Sequence, residues 1–483
     1  MEFIRKNSLL ISLFISIASF IAVRLPFFLF MPLVSFEIDI YDYWYFVEII
    51  NSGQLPKFDV IPGGFPVFLY LIGLISNKAI TVAIIQNLIT LFSSLFLIVA
   101  INRFYEEIGV FATIGIMIFV NGNFNIQFDN SYNPESIYVN SIIIVVGLLI
   151  FAINTNKKAW WILLSLSLII PAIIRSNGIF IYYIIPFTLI YYMVNKRKFN
   201  FYLWLLIPIT ITNLLWASYN YYTAGIFMIS NPTRIINIFS DNPKWAIQLI
   251  SNNQEPRGSI GKSDRSINSA IECFSLFKAQ KSPYYYTYLS QRYHEMYVSN
   301  LVYNGYAAFD GTMEVPELWK KNAMKEYYHT HPLEKNKKYF SFYSETEDSI
   351  ISTMSYSEIR AKIDNEWIFL TFLIHLFYEW FIYKSIWLVL FIVCFIISFA
   401  VLLRMKFKNK FAFLAFIIIS VHIVSLIIIT ITHGYSPGQS FRYEYTTEFS
   451  VYLAPVFTFH LLKSTGIINE ILSKLKLIKR LPM

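Results

Sequence analysis

The feature that most constrains this chain is a succession of apolar runs, each long enough to cross a lipid bilayer. A spanning helix needs about 20 apolar residues, within a working range of about 17–25. Runs of that kind cover 8–30, 79–101, 135–153, 201–219, 384–403, 411–432 and 447–463, and shorter ones cover 107–123, 159–174 and 177–193. Composition agrees: 56% of the 483 residues are hydrophobic and 14% are charged, against about 25% charged in a soluble domain. Too little charge is present to cover a water-facing surface, so lipid is the expected solvent. The N-terminal run is too long for a signal peptide and lacks a small-residue cleavage site, so it reads as a retained helix.

Lys and Arg orient the chain, because cytoplasmic loops are enriched in them. The basic clusters are Arg5-Lys6, Lys157-Lys158, Lys196-Arg197-Lys198, Arg404 through Lys410, and Lys474 through Arg480. If all face the cytoplasm, even numbers of spans must separate them. Two apolar stretches break that parity, 64–76 and 367–383, the second carrying His375 and Glu379. Both are therefore expected to lie along the outer surface as interfacial helices. The expectation is an all-α polytopic protein of the plasma (inner) membrane with about ten spans and both termini cytoplasmic. The net charge of +9 then belongs to cytoplasmic loops and implies no nucleic-acid partner.

Three regions follow: an N-terminal transmembrane module, 1–219, with a first outer loop at 31–78; an extracytoplasmic insert, 220–366; and a C-terminal transmembrane module, 367–483. The insert is expected to be mixed but mainly helical, with helix-like stretches at 264–279 and 317–328. No internal repeat of the transporter kind is visible. Cys273 and Cys394 form neither a zinc spacing nor a disulfide framework.

Chemistry-bearing residues gather on the outer side. Glu37, Asp39 and Asp42 follow the first span, and Tyr43, Val47 and Ile50 recur after Asp39 at helical spacing. Asp39 thus stands at a helix start, where a carboxylate is stabilised; taken alone it reads as an N-cap. Pro62-Gly63-Gly64-Phe65-Pro66 closes the loop as a tight turn. Asp129 and Glu135 flank the start of the fourth span, Arg175 lies between the fifth and sixth, and Arg442-Tyr443 precedes the last. Arg24 sits inside the first span near its outer end. An arginine at membrane depth needs a polar cavity or an anion, and guanidinium matches phosphate oxygens as a fork. Each arginine alone also reads as a snorkelling side chain; their shared side is what points to an anionic ligand. His329 and His331 read as a solvated pair, no metal ligand set emerges, and neither a P-loop nor a dinucleotide fingerprint is present.

In their order along the chain these features resemble the GT-C glycosyltransferases, in particular the dolichyl-phosphate-mannose protein mannosyltransferase-like branch. Asp39, Tyr43, Val47, Gly53 and the PGGFP string match that branch's first-loop pattern in order, with Val47 in place of a small residue and Gly63 in place of a second proline. Glu135, Arg175 with Gly178, and Arg442-Tyr443 before Pro455 resemble its later elements. The resemblance covers the membrane part and not the insert. It implies a polyprenyl-phosphate-sugar donor, a glycan, lipid or protein acceptor, and inverting transfer at the outer leaflet without a cofactor. Asp39 or Asp42 would be the general base, and Arg175 and Arg442 would stabilise the departing phosphate. Arg24, Glu37, Asp129, Glu135 and Tyr443 would hold or orient substrate. An O-antigen-type polymerase and a lipid flippase are the competing readings.

Overall fold

A computed structural model describes residues 6–30, 33–36, 40–56, 58, 62–195, 200–224, 227, 229, 307–310, 389–433 and 445–470. The described chain is mostly helical. Helices run over Ser8–Phe30 (α1), Ile40–Asn51 (α2), Gly64–Gly73 (α3), Ala79–Phe104 (α4), Glu106–Val120 (α5) and Asn123–Asp129 (α6). They continue over Glu135–Thr155 (α7), Lys158–Ile174 (α8), a 3-10 segment Ser176–Tyr183, Ile184–Val194 (α9) and Asn200–Ala224 (α10). Val389–Arg404 (α11), Lys410–His433 (α12) and Phe449–Ser464 (α13) complete the set. Among the described residues, four stretches are long and apolar enough to cross a membrane: Ser8–Leu25, Ala79–Phe104, Glu135–Thr155 and Asn177–Val194.

The first helix shows the inside-out logic of a lipid-facing element. Ser8, Ser12, Ser16 and Arg24 are buried, while Leu10, Phe14, Ile17, Ile21 and Leu25 are exposed. A water-soluble helix does the reverse; in lipid, small and polar residues mediate helix contact and large apolar ones meet acyl chains. Helix α7 is the hub, with its sides closed by α4 and α8 and its core filled by Ile142, Val146, Leu149 and Ile153. Pro208 interrupts the hydrogen-bond ladder of α10. Ser165 of α8 repairs it, donating to the Leu205 carbonyl and accepting from the Ile209 amide at 2.9 Å.

The two ends of the bundle differ in character. At one end the Tyr105 and Asn154 side chains are hydrogen-bonded at 3.0 Å and the Asn195 amide donates to the Phe407 carbonyl at 2.9 Å. Lys463 pairs there with Glu107 at 2.9 Å, and Lys158 lies over the Trp204 ring. These contacts bring Arg103, in the last turn of α4, and the loops that carry Lys157 and Lys406 to one end. A cleft of about 280 Å³ opens there, lined by Arg103, Tyr105, Glu106, Glu107 and His460 among others. The opposite end carries the first loop.

Two local expectations change. The stretch 177–193 is not one α-helix, because it begins inside the 3-10 segment Ser176–Tyr183. And Leu33–Phe36 (β1) forms an antiparallel ribbon with Ala307–Asp310 (β2), Val34 facing Phe309. A strand of the 220–366 region is thereby tied to the chain just before Glu37. The helices expected at 264–279, 317–328 and 367–383, and the pair His329 and His331, lie outside the described residues.

Candidate functional site

Arg24 is carried by α1 into the interior, where it is 1% exposed. Its Nη1 donates to Asp129 Oδ2 at 2.5 Å and to Asn87 Oδ1, and its Nη2 donates to the Val120 carbonyl at 2.6 Å. The other oxygen of Asp129 accepts from Thr90 at 2.9 Å and Ser136 at 2.5 Å. Asn140 extends the chain, donating to Thr90 at 2.7 Å and accepting from Ser93 at 2.5 Å. Gln86 donates to the carbonyls of Phe128, Asp129 and Ser131, holding the α6–α7 corner on α4. Asp129 ends a short helix between two spans. Burial pushes its carboxyl above the ordinary carboxylate range, while Arg24, Ser136 and Thr90 pull it back. Arg24 was expected to face an anionic substrate; its partner is internal, because a buried guanidinium is costly without a matched carboxylate.

Ser136 leads directly to the second ion pair. Glu135, fully buried in the first turn of α7, accepts from Arg175. Arg175 ends α8 in extended backbone and is 12% exposed. Two glycines shape its surroundings. A Cβ on Gly178 would overlap the Pro171 carbonyl, so only glycine lets the chain fold back on α8 here. A Cβ on Gly64 would lie 2.7 Å from the Ile173 carbonyl, which is how the PGGFP turn seats α3 beside Arg175. The glycines of that string therefore serve close approach as well as turning.

The rest of the first loop packs on the same corner. Tyr43 of α2 meets the edge of Phe65 with ring centres 5.0 Å apart, and Val47 is buried, so the stripe after Asp39 faces protein. Phe58 lies between Phe46 and Trp216, and Tyr219 donates to the Pro56 carbonyl at 2.9 Å. Tyr132, just before Glu135, belongs to the same apolar cluster. The first loop, the Asp129–Glu135 corner, Arg175 and the end of α10 thus share one end of the bundle. Helix α7 gives the depth: its 21 residues span about 30 Å. Ser136 and Asn140 fall in its first two turns.

Of the residues singled out from sequence, the structure joins Arg24 with Asp129 and Glu135 with Arg175. Helix α2 opens at Ile40, directly after Asp39, and its backbone carries Asp42. Glu37, Asp39, Arg442 and Tyr443 lie outside the described residues. Shortly beyond Arg442, Thr446, Thr447 and Glu448 are buried, where Tyr445–Thr447 packs on α7 and α12. There Thr447 Oγ1 lies 2.9 Å from His422 Nδ1.

Sequence reasoning missed the amides and hydroxyls of α4. The signal was present: Gln86, Asn87, Thr90, Ser93 and Ser94 recur at helical spacing inside an apolar run. Glu448 and His422 gave no comparable pattern. Among the described residues, no three His, Cys, Asp or Glu side chains group as metal ligands do.

What this corner can do chemically is set by charge and access. Arg24 is closed off, whereas Arg175, paired with Glu135, is 12% exposed where α8 gives way to the 3-10 segment. No family model matches the chain, nor does any curated protein or solved structure resemble it.

Proposed function

We propose that this protein is a multi-pass membrane glycosyltransferase that takes a sugar from a polyprenyl-phosphate carrier and passes it to an acceptor on the extracytoplasmic side. In this reading the chain spans the plasma membrane about ten times, both termini are cytoplasmic, and the basic end of the bundle faces the cytoplasm. The observation that carries it is the Glu135–Arg175 pair lying beneath the first-loop turn, at the end opposite the cleft lined by Arg103 and His460.

The mechanism follows from the residue types. Arg175 holds the donor phosphate and stabilises the charge that grows on it as the anomeric bond breaks; Arg442 is its expected second clamp. Glu135 orients the guanidinium. Asp39 or Asp42 takes the acceptor hydroxyl's proton as the new bond to the anomeric carbon forms, and a single displacement inverts that centre. Arg24 and Asp129 hold the start of α7, and hence Glu135, in place.

A flippase would place its polar groups near the bilayer midplane. The Glu135–Arg175 pair sits at the first turn of α7 and the end of α8, which favours surface chemistry. Mass analysis of envelope glycans and lipid carriers from cells with and without the gene tests the proposal. It predicts loss of one sugar and accumulation of polyprenyl-phosphate sugar. Accumulation of lipid-diphosphate oligosaccharides would support the polymerase instead, and unchanged glycans would refute transfer.

A further inference from the structure

The cleft at the α4–α5 corner has no part in the chemistry above, yet its lining carries both signs of charge. Arg103 lies in the last turn of α4, and Glu106 and Glu107 open α5 just after the corner residue Tyr105. Tyr105 is anchored: Asn154 donates to its hydroxyl at 3.0 Å, and its ring meets Phe411 edge-on with centres 4.8 Å apart. The charged residues beside it are therefore carried by a fixed corner. Glu107 pairs with Lys463 of α13 at 2.9 Å. Arg103 and Glu106 are exposed, and among the described residues neither is in an ion pair. Because Glu107 and Lys463 offset each other, one guanidinium and one carboxylate are left to face a ligand. The volume of about 280 Å³ lies at the small end of ligand pockets, about 300–1,000 Å³, which suits a small headgroup.

An apolar stripe leads away from the cleft. Phe111, Ile114 and Ile118 follow Glu107 on one face of α5, and all three are exposed, as is Phe459 of α13 beside His460. Gly115 brings the two helices together, since a Cβ there would lie 3.2 Å from the Tyr452 carbonyl oxygen. Ile118 lies eleven residues beyond Glu107, a rise of about 16 Å. That is about half of a 30 Å hydrocarbon core, the depth that one leaflet's acyl chains fill. A phospholipid would cover cleft and stripe at once. Its headgroup must match both charges: a phosphate pairs with a guanidinium, and a primary ammonium donates hydrogen bonds to a carboxylate, which a quaternary ammonium cannot. We propose that phosphatidylethanolamine binds here, with its phosphate on Arg103, its ammonium on Glu106 and its acyl chains along the α5–α13 seam. The site lies at the opposite end of the bundle from the Glu135–Arg175 corner and is independent of the transfer reading.

The test releases full-length protein from nanodiscs holding equal parts phosphatidylethanolamine, phosphatidylcholine and phosphatidylglycerol, and counts retained lipids by native mass spectrometry. Wild type should retain phosphatidylethanolamine above both others. Arg103→Gln and Glu106→Gln should each reduce that preference about threefold, the worth of one exposed charge pair. Glu106→Lys should reverse it in favour of phosphatidylglycerol, a change that a merely structural role would not produce. Lys157→Gln, at the same end but outside the cleft, should behave as wild type, and circular dichroism checks that every variant keeps its helices. Equal retention of the three lipids by wild type, retention of either other lipid at or above phosphatidylethanolamine, or a preference that survives in both glutamine variants would overturn the proposal. So would equal thermal stabilisation by soluble glycerophosphoethanolamine, which would give the cleft to a water-borne zwitterion and leave the apolar stripe without a part.

Discussion

Replacing Arg24 with Met keeps the unbranched stem of the side chain and removes its charge, leaving Asp129 2% exposed with two hydroxyl donors, Thr90 and Ser136. The Val120 carbonyl and Asn87 Oδ1 lose a donor as well. Removing one partner of a buried pair costs about 3–5 kcal/mol, because the other charge stays behind uncompensated. Interhelical hydrogen bonds in lipid average about 0.6 kcal/mol, so the charge dominates. Asp129→Asn alone should cost a similar amount by stranding the guanidinium. The double variant, neutral on both sides and still bonded to Thr90 and Ser136, should lie within about 2 kcal/mol of wild type. The pH dependence has a definite sign. Without Arg24, burial raises the folded-state pKa of Asp129 further, so the folded protein binds the proton more tightly than the unfolded one. Stability of Arg24→Met is therefore greatest below the ordinary carboxylate pKa of about 3.9 and falls as pH rises through the raised value. Reversible unfolding in mixed micelles, followed by circular dichroism, measures all three variants. Additive costs in the double variant, or an Arg24→Met protein within about 0.5 kcal/mol of wild type, would refute the assigned pairing.

Further outcomes follow from backbone approach and strand register. Gly178→Ala should cost about 2 kcal/mol or more in thermal unfolding, because the new methyl meets backbone atoms of Pro171 and Ala172 that cannot yield. Gly73→Ala, with nothing within 4 Å, should be neutral or slightly stabilising. Val34→Cys with Phe309→Cys should form a disulfide on mild oxidation, seen as a mobility shift without reductant, since these residues face each other across β1 and β2.

Much of the helical framework was legible because hydropathy is a local property. The run read as 107–123 is Glu106–Val120, and that read as 159–174 is Lys158–Ile174. The stripe Tyr43, Val47 also turned out to be a packed face. What was hidden depends on partners far along the chain. Asp129 lies 105 residues from Arg24, and nothing near either residue names the other, so Arg24 read as a substrate clamp. The ribbon escaped notice because each strand has four residues, too few for a period-two pattern. The 3-10 winding after Arg175 depends on Gly178 meeting Pro171, a contact that local propensity does not encode.

Transfer itself tests the central claim most directly. Membranes from cells lacking the gene supply the acceptor pool. Purified protein is reconstituted in vesicles of known orientation, and labelled sugar is presented as polyprenyl-phosphate donor on one face at a time. The account predicts transfer, with inversion, when donor and acceptor meet the face bearing the Glu135–Arg175 corner. Arg175→Ala should abolish it, and Asn at position 39 or 42 should reduce it by about a hundredfold or more, the usual worth of a general base. Equal transfer by Arg175→Ala, or transfer when the substrates meet the basic face instead, would contradict it.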